Sequence, residues 1–227
     1  MIFLYDHSPS ILAKILMSLG VLAGTLTATV LTTGYSDWFV HVTNFEKVEG
    51  NIYRQIIMFV FCFIYFIRFT TGLFVFIQRK ISWFEGGLVT VLFFMMFYYF
   101  GISAGSHPDS FGILDIFGIS VFLFGLCINT WADYQRFSWK RDPENKGRLY
   151  TSGLFKYSMH INYFGDVVWS TGMALISGSL WFFLIPFYMS CGFLFLHIPR
   201  LDKYLKARYG HQYDEYAGKT KRFIPFI

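Results

Sequence analysis

Apolar residues gather along the chain into six long runs separated by polar breaks. The runs cover roughly residues 11–34, 54–78, 82–102, 112–131, 162–178 and 180–198. Each approaches the roughly 20 residues that a helix needs to cross the hydrocarbon core of a bilayer. Polar residues intrude at the start of the fifth run. Only the Ser177-Gly178-Ser179 break divides the fifth from the sixth, which predicts a tight hairpin turn. Beyond residue 131 the pattern changes, and a polar loop and a polar tail with helical spacing frame the last two runs. The pattern predicts an all-α polytopic membrane protein of about six transmembrane helices with a polar loop and a C-terminal helical tail.

Composition agrees with this pattern. Of 227 residues, 55% are hydrophobic and only 15% charged, and the excess is aromatic, with 29 Phe and 15 Tyr. A soluble domain carries nearer a quarter charged residues, so this chain has too little polar surface to cover a water-exposed fold. The length suits one domain. Cys62, Cys127 and Cys191 all lie in apolar runs without metal-type spacing and read as small core residues. Asp6, His7 and Lys14 interrupt the N-terminal region, so it is not expected to be a cleavable signal.

Charge sets an expected orientation, because cytoplasmic loops retain lysine and arginine. With six spans, one side collects Lys14, Arg79, Lys80, the loop cations from Arg136 to Lys156 and the tail cations from Arg200 to Arg222. The other side holds Lys47 and Arg54 with Asp37, Glu46 and Glu49, and Arg68 is left inside a span. Both termini are therefore expected in the cytoplasm, in a bacterial inner membrane or the endoplasmic reticulum. A net charge of +5 does not indicate nucleic acid, since the cations hug helix ends and no binding motif accompanies them. Anionic lipid or a phosphorylated cofactor is the better partner. The sequence is silent on oligomeric state.

Ionisable groups inside spanning helices are costly and usually face a cavity or a partner. Asn129 and Asp133 lie four residues apart on one helix face, and Asn162 and Asp166 repeat the spacing at the start of the fifth run. Glu85 sits about one turn into the third run, and Arg68 lies in the second, where it could neutralise Glu85. Depth counting puts all six in the cytoplasmic half and predicts a polar cavity there. Asp115 falls at the other end, outside this group. Phe93, Phe94 and Phe97 read as lipid-facing or core. In the loop, Pro143 and Gly147 break any helix, and Thr151 or Ser152 could cap a short helix carrying Lys156, Tyr157 and His160.

Ala132-Asp133-Tyr134-Gln135, the Asp142-to-Arg148 loop, Gly153-Leu-Phe-Lys-Tyr157, Asn162-Tyr-Phe-Gly-Asp166 and the tail from Tyr209 to Phe226 together resemble the steroid 5-alpha-reductase superfamily, in its microbial and lower-eukaryotic branch. The tail is similar also to sterol reductases and isoprenylcysteine carboxyl methyltransferases. The resemblance covers residues 112–227. It implies that residues 111–227 form a cofactor-binding half and residues 1–110 the substrate side of one membrane domain. In the reductases the cofactor is NADPH. By position, Asn129 and Asp133 would contact it, Lys140, Arg141 and Arg148 would meet phosphate, and Asn162 and Tyr163 would bind from the fifth helix. Asp166 and His160 would belong to the same site, with Arg200 and Tyr204 from the start of the tail. No Gly-rich dinucleotide fingerprint is present, so such a site is not of the Rossmann kind.

The chain departs from the family where Met159-His160-Ile161 replaces Arg-His-Pro, and where Leu201-Asp202 replaces the paired glutamates of the methyltransferase branch. The resemblance implies reduction of an activated carbon–carbon double bond in a lipid or steroid-like substrate, with an acid polarising the carbonyl. Glu85 is the available carboxylate, and Tyr98 and Tyr65 are candidate donors. Tyr98 lies roughly 20 Å along its helix from Glu85, so the two cannot act as a direct pair. The alternatives are S-adenosylmethionine-dependent methylation of a lipidic acceptor, and a non-catalytic sterol- or lipid-binding protein.

Overall fold

The computed structural model describes residues 10–32, 50–107, 109 and 111–226. Among these residues all regular structure is helical. The helices are α1 (Ile11–Thr32), α2 (Ile52–Thr71), α3 (Trp83–Ser106), α4 (Ile113–Arg141), α5 (Ile161–Ser177), α6 (Leu184–Gly192), α7 (Ile198–Tyr209) and α8 (His211–Lys219). Among the described residues, five stretches are long and apolar enough to cross a bilayer: Ile11–Thr32, Ile52–Phe76, Trp83–Ala104, Ile113–Arg141 and Leu180–Tyr209. The chain is an integral membrane protein. The run at 162–178 forms α5, whose 17 residues span about 25 Å.

Two helices continue by loosening one turn. A π turn at Gly72–Phe76 extends α2. Another at Phe193–His197 joins α6 to α7. Pro199 lies at the start of α7 and has no N–H for the ladder, so the wider turn just before it absorbs the missing bond. The continuous helix then ends at Gly210, whose φ of +51° suits glycine. Gly178 at φ +70° makes the turn that closes α5, as the Ser-Gly-Ser break predicts.

Contacts divide the chain into two compact units, residues 1–115 with 176–179, and residues 116–175 with 180–227. In the first unit α1 packs along α3 through small residues. A Cβ on Gly20 would lie 2.8 Å from the Thr90 carbonyl oxygen, and one on Gly24 would lie 2.5 Å from that of Phe94. Gly20-x-x-x-Gly24 thus lets two backbones touch, the usual way for helices to associate in lipid. Lys14 is buried on α1 and donates to the Ile77 carbonyl at 2.6 Å, closing the open end of the α2 extension. Asn51 caps α2 by accepting from the Tyr53 amide at 2.9 Å.

Arg54, counted above among the loop charges, is not a solvated loop residue. It is buried on α2 and forks onto Asp115 at 2.6 and 2.8 Å. The same guanidinium donates to the carbonyls of Asp109 and Ile176. Breaking such a buried pair by removing one partner costs about 3–5 kcal/mol. Asp37, Glu46, Lys47 and Glu49, the other members of that charge count, lie outside the described residues.

In the second unit α4 and α5 run antiparallel at close range. A Cβ on Gly125 would lie 2.2 Å from the Trp169 amide nitrogen, one on Gly165 2.7 Å from that of Asn129, and one on Gly172 2.3 Å from that of Phe122. Below this seam the loop and tail form their own core of Ala132, Tyr150, Phe155, Met159, Ile161, Tyr213 and Tyr216. Met159 and Ile161, the residues that replace Arg and Pro, are spent on this apolar core.

Candidate functional site

The glycine seam brings the two Asn-x-x-x-Asp pairs together. Asn129 is buried, and its amide nitrogen donates to the Asn162 carbonyl at 3.0 Å and to Asp166 Oδ1 at 2.9 Å. Asp166 Oδ1 also accepts from the indole N–H of fully buried Trp169 at 3.0 Å. One turn toward the loop, Asn162 reaches Asp133 at 3.5 Å, and Asp133 accepts from Arg136 at 2.8 Å. The chain of bonds runs from a sealed interior to a half-buried rim. Asn129 is buried, whereas Asp166, Asn162, Asp133 and Arg136 are partly accessible.

A second cluster surrounds the start of α5. His160 is only 1% exposed, and its Nε2 lies 2.8 Å from Asp202 Oδ1. The other oxygen of Asp202 accepts from Arg222 Nε at 2.8 Å. The His160 ring stacks on Tyr163 with centroids 5.8 Å apart, and Tyr163 stacks on Phe193 at 4.5 Å and within 2° of parallel. Tyr213 also meets this group: burial, the Asp202 charge and a hydrogen bond to Asp202 push its phenol up to about 12. Burial likewise raises the phenol of Tyr216, which donates to the Phe155 carbonyl at 2.6 Å.

The remaining cations expected at the cofactor site are all exposed: Lys140 and Arg141 at the end of α4, Arg148 in the loop and Arg200 on α7. An open cleft of about 360 Å³ is lined by Leu149, Thr151, Gln212, Glu215 and Lys219 among others. Tyr204 receives a hydrogen bond from Arg208 one turn along α7. The loop between these groups carries no helix capped by a Thr151 or Ser152 side chain. Asp142 caps a single turn at Pro143–Asn145, and a second turn at Gly153–Lys156 follows Ser152, which makes no side-chain cap. Gly153 is at φ +61° with Gln135 packed against it, and Gln135 accepts from the Leu154 amide at 3.0 Å. His160 therefore sits ahead of α5 and not on a loop helix.

The three residues considered for acid catalysis lie in the first unit. Glu85 is bound by Arg79 through both carboxylate oxygens, and its amide donates to Ser82 at the start of α3. Its partner is thus Arg79, whereas Arg68 lies over the Phe76 ring at 5.5 Å. Ser82-x-x-Glu85 is also the spacing of a helix-capping box, a local signal for this structural role. Tyr65 is buried among Phe69, Phe93 and Phe97, with ring centroids 5.0–6.0 Å away. Tyr98 packs on Phe94 and edge-on to Tyr99. Of the cysteines, Cys62 is buried, but Cys127 is exposed on α4.

Spacing alone did not reveal three participants. Arg136, Trp169 and Arg222 each close a network, and only the i,i+3 offsets of Arg136 from Asp133 and Trp169 from Asp166 offered a signal. Arg222 meets Asp202 across 20 residues of chain, which no local pattern encodes.

The family described as "Protein of unknown function (DUF1295)" matches residues 75–220. The chain belongs to the DUF1295 family. That stretch contains the first cluster and all of the second except Arg222. Curated relatives include the human 3-oxo-5-alpha-steroid 4-dehydrogenase 2, 31% identical over 57% of this chain and 50% of its own length. The Delta(14)-sterol reductase of Ascobolus immersus is 28% identical over 54% of this chain and 32% of its own. A protein of Ustilaginoidea virens named "Probable O-methyltransferase ustE" is 34% identical over 40% of this chain and 32% of its own. The chain thus spans half or less of the length of these relatives. The resemblance to steroid 5-alpha-reductases read from the motifs is shared by these comparisons.

Proposed function

We propose that this protein is a membrane-embedded, NADPH-dependent reductase of an activated carbon–carbon double bond in a lipid or steroid-like substrate. The observation that carries the reading is the Asp166–Asn129–Asn162–Asp133–Arg136 chain of bonds, which leads through buried Asn129 to an accessible polar rim within the DUF1295 match. Relatives named as steroid dehydrogenases and a sterol reductase supply the reaction class.

The donor set suits a phosphorylated dinucleotide. Asn162 and Asp133 offer an amide and a carboxylate for a base or ribose, and Tyr163 offers a flat ring. Exposed Lys140, Arg141, Arg148 and Arg200 offer the charge that phosphates require. NADPH, when bound, supplies hydride to the carbon beta to a carbonyl. The chain's own residues hold and orient. Asp166 fixes Asn129, and Asn129 fixes the first turn of α5 through the Asn162 carbonyl. The acid that polarises the substrate carbonyl is sought among Tyr65, Tyr98 and Glu85, of which Glu85 is already neutralised by Arg79. With both termini cytoplasmic, the polar rim would open to cytosolic cofactor.

The second reading is methyl transfer from S-adenosylmethionine, favoured by the methyltransferase-named relative. Turnover distinguishes them. Reconstituted protein is given an enone steroid and NADPH deuterated at the hydride position. The proposal expects a saturated product with deuterium at the beta carbon. Methylated product from S-adenosylmethionine, with no saturation, would replace it by the second reading.

A further inference from the structure

The turn before α5 and the segment after α8 lie side by side. The Met159 amide donates to the Lys221 carbonyl at 2.8 Å, and the Ser158 hydroxyl donates to that of Phe223 at 2.6 Å. This stitch buries Phe223 against Phe164 and Phe193, with ring centroids 6.4 and 6.5 Å away. Its neighbours are turned outward. Phe226 is 77% exposed and Ile224 44%, and the Phe226 ring meets exposed Tyr157 at 5.4 Å. Lys156 extends over the Tyr157 ring at 4.8 Å, and Lys221 is exposed beside them. Neither 152–160 nor 217–226 contains an aspartate or glutamate. The result is an apolar, aromatic patch ringed by cations with no counter-charge in its own segments.

Its level along the helices is fixed by α5, which begins at Ile161, four residues after Tyr157. Antiparallel α4 reaches the same level, because Asp133 lies 3.5 Å from Asn162. There α4 exposes Trp131 and Tyr134, with ring centroids 5.4 Å apart. Exposed aromatic rings at the ends of apolar helices mark the membrane–water boundary. Lysines beside them match anionic headgroups. The headgroup layer accepts both the 77%-exposed Phe226 ring and the cations beside it.

We infer that Tyr157, Ile224 and Phe226, flanked by Lys156 and Lys221, form an interfacial anchor that docks the tail segment onto anionic lipid headgroups at the leaflet where α5 begins. This inference stands apart from the proposed reaction. Each lysine contributes about a five-fold preference for an anionic over a neutral surface.

The test places para-fluorophenylalanine at position 226 of the full chain in nanodiscs and reads its fluorine resonance. Headgroup-level spin-labelled lipid and a water-soluble relaxation agent are the two probes. In a phosphatidylcholine–phosphatidylglycerol mixture, the lipid probe should broaden the resonance strongly and the aqueous probe weakly. The Lys156→Glu/Lys221→Glu variant, checked for an unchanged melting temperature, should lose most of the lipid broadening. Dominant broadening by the aqueous probe in the mixture would overturn the inference. Broadening that is the same in pure phosphatidylcholine and in the double variant would overturn its anionic part. Protection from both probes with a doubled particle mass would assign the patch to a second copy of the chain instead.

Discussion

At the scale of single residues, Asp166 is the point on which the buried network turns. One oxygen accepts from Asn129 and from Trp169, both of which are sealed from solvent. Asp166→Ala leaves two buried donors without an acceptor, at about 1–3 kcal/mol each. Asp166→Asn keeps an acceptor in place. The alanine variant should therefore melt several degrees lower and bind cofactor poorly, and the asparagine variant should recover most of the stability. Equal stability of wild type and alanine variant, read by thermal melting in detergent, would remove the network from the fold. The two Asn-x-x-x-Asp spacings were legible in the sequence because four residues is one helical turn. Asn129 was readable as polar and inward, but its role as an internal anchor was not, since that depends on which carbonyl lies opposite. Glu85 shows the reverse case. A carboxylate one turn into an apolar run suggests chemistry, yet Ser82 three residues before it and Arg79 six before it already specify a capped, ion-paired helix start.

At the scale of elements, the glycines of α4 and α5 decide whether the network exists. Gly125 and Gly165 let the two backbones come close enough for Asn129 to span from one helix to the carbonyl of the other. Gly125→Ala would place a methyl 2.2 Å from the Trp169 amide nitrogen, a backbone atom that cannot swing away. Overpacking of this kind costs about 1–3 kcal/mol and pushes the helices apart. The variant should lose cofactor affinity more than Gly192→Ala, whose added methyl meets nothing within 4 Å. Equal binding by isothermal titration in the two variants would contradict the role of the seam. Apolar runs foretold most of the helices, because hydropathy over some 20 residues is a strong signal. Their ends were less legible. α4 continues ten residues beyond its apolar run to Arg141, and α6 passes through a π turn into α7, since polar residues with good helix propensity extend a helix past the lipid. The loop between α4 and α5 was expected to hold a capped helix around Lys156 and holds single turns, because its residues are drawn into the core of Phe155, Met159 and Tyr213.

At the scale of the whole molecule, the account is a DUF1295 membrane protein whose loop, tail and last helices carry two polar clusters and whose composition was enough to assign it to the bilayer. Reaction class was not readable from periodicity or charge. It came from motifs and relatives, which bear reductase and methyltransferase names; Asp202, which stands at the place of the methyltransferase branch's paired glutamates, holds His160 here, and Met159 and Ile161 are used for packing. Binding separates them directly, because a ligand that binds only the folded protein raises its melting temperature by mass action. The most direct measurement is the melting temperature of the purified full chain with NADPH, NADH and S-adenosylmethionine in parallel, repeated for Asn162→Ala/Asp133→Ala. The account predicts a rise with NADPH that the double variant loses. A rise with S-adenosylmethionine alone, or none with any of the three, would contradict it.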